Sequence, residues 1–251
     1  MNEFYVGYLP KAPVGIARRI RAVVVFLLLM AAACAILFAS VQQTFAPSAF
    51  EFGKENTFEG VIEENPYPIL VVAKPGTSSV ESASSRYLLV AAGKHGANSQ
   101  VVGYDGKTVR LRGTLIYRGN QTMVELVRGS ISVLDDAIQP QQTTKELGTF
   151  VLTGEIVDSK CYFGVMNPGN GKVHRDCAVR CLSGGTQPVF VTNDLNGSPS
   201  VLLLTASGKR LLRKEVFLNQ VAQPVQIRGK VVKTGETLFL ETEPSAISPL
   251  P

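Results

Sequence analysis

The chain has 251 residues, 45% of them hydrophobic and only 18% charged, against about 25% charged in an ordinary soluble domain. Its 23 glycines and 14 prolines, with no tryptophan, describe a folded, turn-rich protein and exclude a collagen, a coiled coil or a disordered chain. Four cysteines in this length do not make a disulfide-dense scaffold.

The apolar excess lies at the N-terminus. Ala22 to Val41 reads AVVVFLLLMAAACAILFASV, without a charge and with Ser40 as its one polar residue. Twenty residues at a rise of about 1.5 Å cross a hydrocarbon layer of about 30 Å. Lys11, Arg18, Arg19 and Arg21 precede the run, so the positive-inside rule predicts residues 1–21 in the cytoplasm and the remainder outside. A cleaved signal peptide has a shorter flank and a shorter apolar core. A lipoprotein start at Cys34 would turn polar after the cysteine, where Ala35 to Phe38 stays apolar. Ahead of the span, Phe4, Tyr5 and Tyr8 form an aromatic segment expected to lie in the headgroup belt or to dock on a partner subunit.

The formal net charge of +5 does not indicate nucleic acid. Residues 1–41 hold four basic residues and one acid, leaving 21 basic and 19 acidic beyond the span. A balance that close to neutral has no electrostatic footprint for a phosphate backbone.

Beyond the span the sequence repeats itself. Thr57 to Ile62 resembles Leu152 to Val157 with Gly60 and Gly154 aligned, Tyr87 to Val90 resembles Val201 to Leu204, and Val109 to Gly113 matches Val225 to Gly229. In each copy another glycine follows six residues later, Gly119 and Gly235, before a closing apolar strand. Each copy offers about five short segments of period-2 alternation. The expectation is all-β, with tandem OB-like barrels over residues 51–133 and 148–243. A polar linker is expected over 134–147 and a flexible tail over 244–251.

The second copy is longer by about 20 residues between its first strand and the strand at Leu202, and into that interval (159–186) fall Cys161, His174, Cys177 and Cys181. The first copy contains no cysteine, so the fold does not depend on them. Asn167 to Gly171 predicts a loop, and Val173 to Leu182 a short helix stopped by Gly184-Gly185. On that helix His174, Cys177 and Cys181 share one face, and Cys161 reaches it if the loop folds back. Three thiols and an imidazole suit tetrahedral zinc or copper. Asp158 or Asp176 would orient the histidine, with the thioether of Met166 nearby. A disulfide from Cys161 to Cys177 or Cys181 is the competing reading, worth roughly 3 kcal/mol by loop closure, and a redox-active thiol pair is a third.

Lys160-Cys161-Tyr162, followed by His174-Arg175-Asp176-Cys177-Ala178-Val179-Arg180-Cys181 and Gly184-Gly185, resembles a poorly characterised family of exported bacterial β-domains. The resemblance covers about 40 residues of the second copy. It implies an exported bacterial β-domain with a shared cysteine-histidine site, and it carries no established activity over to this chain. More distantly, the pair Cys177 and Cys181 with a histidine is similar to copper-handling proteins of oxidase assembly, except that their histidine lies far from the pair.

No nucleophile elbow, zincin, P-loop or dinucleotide-binding pattern occurs, and no residue set forms a nucleophile with a base. The expectation is a single-span protein of the bacterial inner membrane, a non-catalytic subunit or assembly factor of an extracytoplasmic redox complex. Its partners would be the membrane and protein subunits. An envelope binding protein with a stapled insert, and a copper chaperone or thiol oxidoreductase, are the alternatives.

Overall fold

A computed structural model describes residues 12–42, 47–74, 84–135, 142–195, 197 and 199–250; Phe4, Tyr5 and Tyr8 lie outside them. The chain divides into two units, 1–45 and 46–251. Among its described residues the first contains one helix, α1 (Val14–Val41). It starts directly after Pro13, whose ring fixes φ near the helical value and whose missing N–H costs nothing at a helix start. None of its residues is buried. Its 28 residues span about 42 Å, long and apolar enough to cross a membrane. The helix begins eight residues before the expected span at Ala22 and takes in the basic turn Arg18 to Arg21, whose arginines have good helix propensity.

The second unit is all-β apart from short helices. Its strands are β1 (Ser48–Phe50), β2 (Asn56–Glu63), β3 (Ile69–Ala73), β4 (Ser84–Val90), β5 (Thr108–Arg118), β6 (Gln121–Leu126) and β7 (Ser132–Val133), then β8 (Thr144–Asp158), β9 (Pro188–Thr192), β10 (Ser200–Ala206), β11 (Pro224–Thr234) and β12 (Thr237–Pro249). A one-turn helix, α2 (Asn98–Val101), follows β4, and α3 (Arg175–Ser183) precedes β9.

Two closed five-stranded barrels result. Strand β2 pairs with β3, β3 with β4, β4 in parallel with β6, β6 with β5, and β5 with β2. The second ring, β8-β9-β10-β12-β11, repeats this order, again with one parallel pairing, between β10 and β12. This is the order of an OB barrel. β1 and β7 add to β5 outside the first ring.

The sequence blocks that resemble one another fall on equivalent strands, and their glycines meet equivalent obstacles. A Cβ on Gly60 would stand 2.4 Å from the Val71 carbonyl oxygen, and one on Gly154 2.1 Å from that of Val191. On the fourth strands, Gly113 and Gly229 would each meet a carbonyl of the fifth strand, Glu125 at 2.7 Å and Glu241 at 2.6 Å. Only glycine permits these tight crossings.

Each barrel encloses its own apolar core, Ile62, Leu70, Leu89, Leu111 and Val124 in the first and Leu152, Ile156, Phe190, Leu204 and Ile227 in the second. A third core joins the barrels, with Ile69, Leu88, Ile116 and Met123 packed against Val157, Phe163, Val189, Leu203 and Phe239. Buried polar bonds cross the same seam. The Tyr67 hydroxyl donates to the Leu204 carbonyl at 2.6 Å, and Gln187 Nε2 donates to that of Leu89 at 2.7 Å.

Two expected boundaries are corrected. The segment 134–147 is not wholly linker, because Thr144 to Glu146 already pair with Val232 to Thr234 of β11; polar residues suit a strand whose outer face is solvated. The segment 244–251 is not a frayed tail through 249, because Ile247 to Pro249 pair with Val225 to Ile227. Pro244 falls within the register shift of that ladder, where its missing N–H removes no bond.

Candidate metal centre

In the first barrel the connection between the first two strands is the short stretch Glu64 to Pro68; in the second it is 159–187. This long excursion carries the site, and it leaves β8 at Asp158. The Asp158 side chain is fully buried. Its Oδ1 accepts the Cys161 backbone N–H at 2.8 Å, and its Oδ2 lies 3.0 Å from His174 Nε2. A buried carboxylate needs such partners. They tie the start of the excursion to the start of α3.

The next residues lock onto the first barrel. Lys160, 3% exposed, donates to the carbonyls of Ala91 and Gly93, each at 2.7 Å, and pairs with Glu125. Cys161 opens a single π-type turn, Cys161–Val165. There the Tyr162 ring lies 4.3 Å under the Arg118 guanidinium, and Phe163 enters the core between the barrels. Helix α3 buries Ala178 and Leu182 against the second barrel, which turns Cys177 and Cys181, one turn apart, toward Cys161.

The three sulfurs converge. Cys161 Sγ lies 3.9 Å from both Cys177 Sγ and Cys181 Sγ, and all three atoms lie within 4.8 Å of one another. All are thiols, separated by nearly twice the ~2.05 Å of a disulfide. Cys161 and Cys181 are buried and Cys177 is half-buried. A second group joins Asp158, Cys161 and His174 within the same limit. Cys161 thus belongs to both groups, but among the described residues no group unites His174 with all three sulfurs.

That departs from the expected four-donor set. Helix α3 begins only at Arg175, after a 3-10 turn over Lys172–His174, so His174 does not follow the helical period that carries Cys177 and Cys181. Its imidazole is held by Asp158 instead. Of the other expected supporting residues, Asp158 does orient the histidine. Asp176 is exposed in the first turn of α3, where its charge suits the helix dipole. Met166 is 44% exposed.

One participant was not anticipated. Lys94, from the loop after β4 of the first barrel, places its Nζ 2.7 Å from Cys177 Sγ and 3.8 Å from Cys181 Sγ. The loop is held there by glycines. Gly185 ends α3 with φ +96°, the left-handed cap, and the Gly96 N–H donates to the Gly184 carbonyl at 3.1 Å. A Cβ on Gly184 would stand 1.9 Å from the Lys94 carbonyl oxygen. The sequence placed Lys94 beside a loop histidine with nothing to link it to cysteines 83 and 87 residues away.

The electrostatics follow from this arrangement. The hydrogen bond with Cys161 brings the Cys181 thiol down to about 7, helped by Lys94 and opposed by burial and by the charge of Asp158. Cys161 moves well up, through its bond to Cys181, burial and Asp158. The bond to Cys177 raises Lys94 and favours its ammonium form. Three soft donors beside one cation can hold a thiophilic metal ion or exchange electrons as thiols.

Neither a protein-family model, a curated protein nor a solved structure matches this chain.

Proposed function

We propose that the protein is a non-catalytic, membrane-anchored subunit or assembly factor of a redox complex in the bacterial envelope. In this reading α1 crosses the inner membrane with its basic flank in the cytoplasm, and the paired barrels stand outside. Cys161, Cys177 and Cys181 hold a soft metal ion, zinc or copper, as thiolates. Asp158, with His174, fixes the backbone from which Cys161 projects. Zinc or copper would be retained by the thiolates, while the barrels supply the contact surface for partner subunits.

One observation carries the reading: an excursion that the first barrel omits brings three sulfurs from two separate elements within 4.8 Å of one another. The donor set fits the group. Thiolates select zinc and copper(I) over hard cations, and a metal–sulfur bond of about 2.3 Å requires sulfurs roughly 4 Å apart.

The test is metal analysis of the full chain, purified in mild detergent under reducing conditions, with a free-thiol count. The expected result is one ion per chain and three thiols protected until a chelator is added. Metal-free protein with those thiols unprotected would overturn it. Cys177→Ser should lose the ion and keep its β-sheet circular dichroism. Migration as a larger assembly in native membranes supports the subunit role, and recovery solely as a monomer opposes it.

A further inference from the structure

The separation between Lys94 Nζ and Cys177 Sγ is 2.7 Å. An N–H···O bond spans about 2.9 Å, and sulfur is larger than oxygen by about 0.3 Å, so an ordinary N–H···S bond needs about 3.2 Å or more. The same nitrogen keeps 3.8 Å from Cys181 Sγ, so the short approach is specific to Cys177. It equals the distance set by one oxygen atom bonded to both, about 2.7 Å from single bonds of about 1.45 and 1.7 Å meeting at about 115°.

Two further observations support the pairing. The Lys94 backbone is held against Gly184 by a contact that no side chain could share, so the lysine is delivered to the sulfur rather than arriving there as a loose surface chain. Access is graded as well. Lys94 is exposed and Cys177 half-buried, whereas Cys161 and Cys181 are buried, so a small oxidant entering from solvent meets Cys177 first.

We propose that Lys94 and Cys177 are a modification site, joined under a hydroperoxide oxidant by a covalent, reducible N–O–S bridge between the two barrels. In the first step the Cys177 sulfur attacks the peroxide. An S–O bond forms as the O–O bond breaks, and the proton shared between the Lys94 ammonium and the sulfur completes the departing water, leaving the sulfenic acid beside a neutral Lys94 amine. In the second step another peroxide accepts two electrons. The Lys94 amine and the sulfenic acid each lose one hydrogen, the N–O bond forms, and two waters leave. One amine, one thiol and two hydrogen peroxides thus give one bridge and three waters. Four thiols of a small reductant reverse both steps. The bridge stands on the lysine–cysteine contact and not on a bound metal, but it withdraws Cys177 from the three-thiolate set, so oxidation opens the metal centre proposed above.

The experiment treats the full chain in mild detergent, cleared of metal by chelation, with hydrogen peroxide and digests it without reductant. Mass spectrometry is expected to find the peptides of Lys94 and Cys177 linked, heavier than their sum by about 14 Da for one oxygen gained and two hydrogens lost. Dithiothreitol should separate them at their original masses. Lys94→Arg, checked for native circular dichroism, should abolish the link. A peroxide-treated protein with Lys94 unlinked, and Cys177 either in a disulfide with Cys161 or Cys181 or converted to sulfinic acid, would overturn the proposal. Metal content, measured on reduced protein, is read separately, so either reading fails without the other.

Discussion

The carbonyl oxygen of Lys94 occupies the space that a side chain on Gly184 would need, 1.9 Å from where its Cβ would stand. This backbone contact joins the first barrel to the end of α3 and sets how far Lys94 can reach. Gly184→Ala must push the two apart. The expected cost is about 1–3 kcal/mol of stability, read as a lower denaturation midpoint, together with loss of the Lys94–Cys177 link under peroxide. A variant with wild-type stability and an intact link would show that the contact is dispensable.

Asp158 holds Cys161 by its backbone and His174 by its ring, and it does so without contact with solvent. Asp158→Asn keeps the shape but turns one acceptor into a donor facing His174. Metal affinity should fall about 10- to 100-fold, the usual effect of removing a support behind a ligand, while the β-sheet circular dichroism stays unchanged. Competition with a chromophoric chelator measures the first, and unchanged affinity would remove Asp158 from the site.

The core between the barrels predicts that they unfold together. Phe163 is 1% exposed and packs among residues of both barrels. Phe163→Ala should cost about 3–5 kcal/mol and shift one cooperative transition. Two transitions, with only the second barrel affected, would show that the seam is weak.

Acid should weaken the protein through Glu63. Burial raises its carboxyl, but the paired Arg86, at 2.6 Å, and Gln142 outweigh burial and hold it below its usual value. A carboxyl lowered on folding contributes stability in full above its unfolded value of about 4.3. That contribution fades as pH falls through the lower folded value. Glu63→Gln should therefore be less stable than wild type at pH 6, and the gap should narrow toward pH 3. Urea midpoints across that range measure it, and a gap constant with pH would exclude the pair as its source.

The parts of the fold legible in the sequence were those where the backbone leaves no choice of residue. Gly60 and Gly154 align because each must pass a neighbouring carbonyl, and Gly119 and Gly235 because each turns a hairpin with φ near +55°. The stop of α3 at Gly184-Gly185 was legible for the same reason. His174 was misplaced because spacing along a presumed helix says nothing of where that helix begins. Lys94 left no trace, since a lysine in a loop reads as solvated until tertiary structure brings sulfur to it. The strand through Ile247 to Pro249 was hidden by proline-rich composition, which a register shift accommodates.

Because the three sulfurs come from one barrel and the ammonium from the other, neither half of the chain contains the whole cluster. During synthesis the lysine emerges first and waits, and the cysteines reach it only after the later half has collapsed onto the earlier one. The cluster is therefore complete only once both halves have folded and docked: a chain that stalls or misdocks leaves the sulfurs without the Lys94 cation.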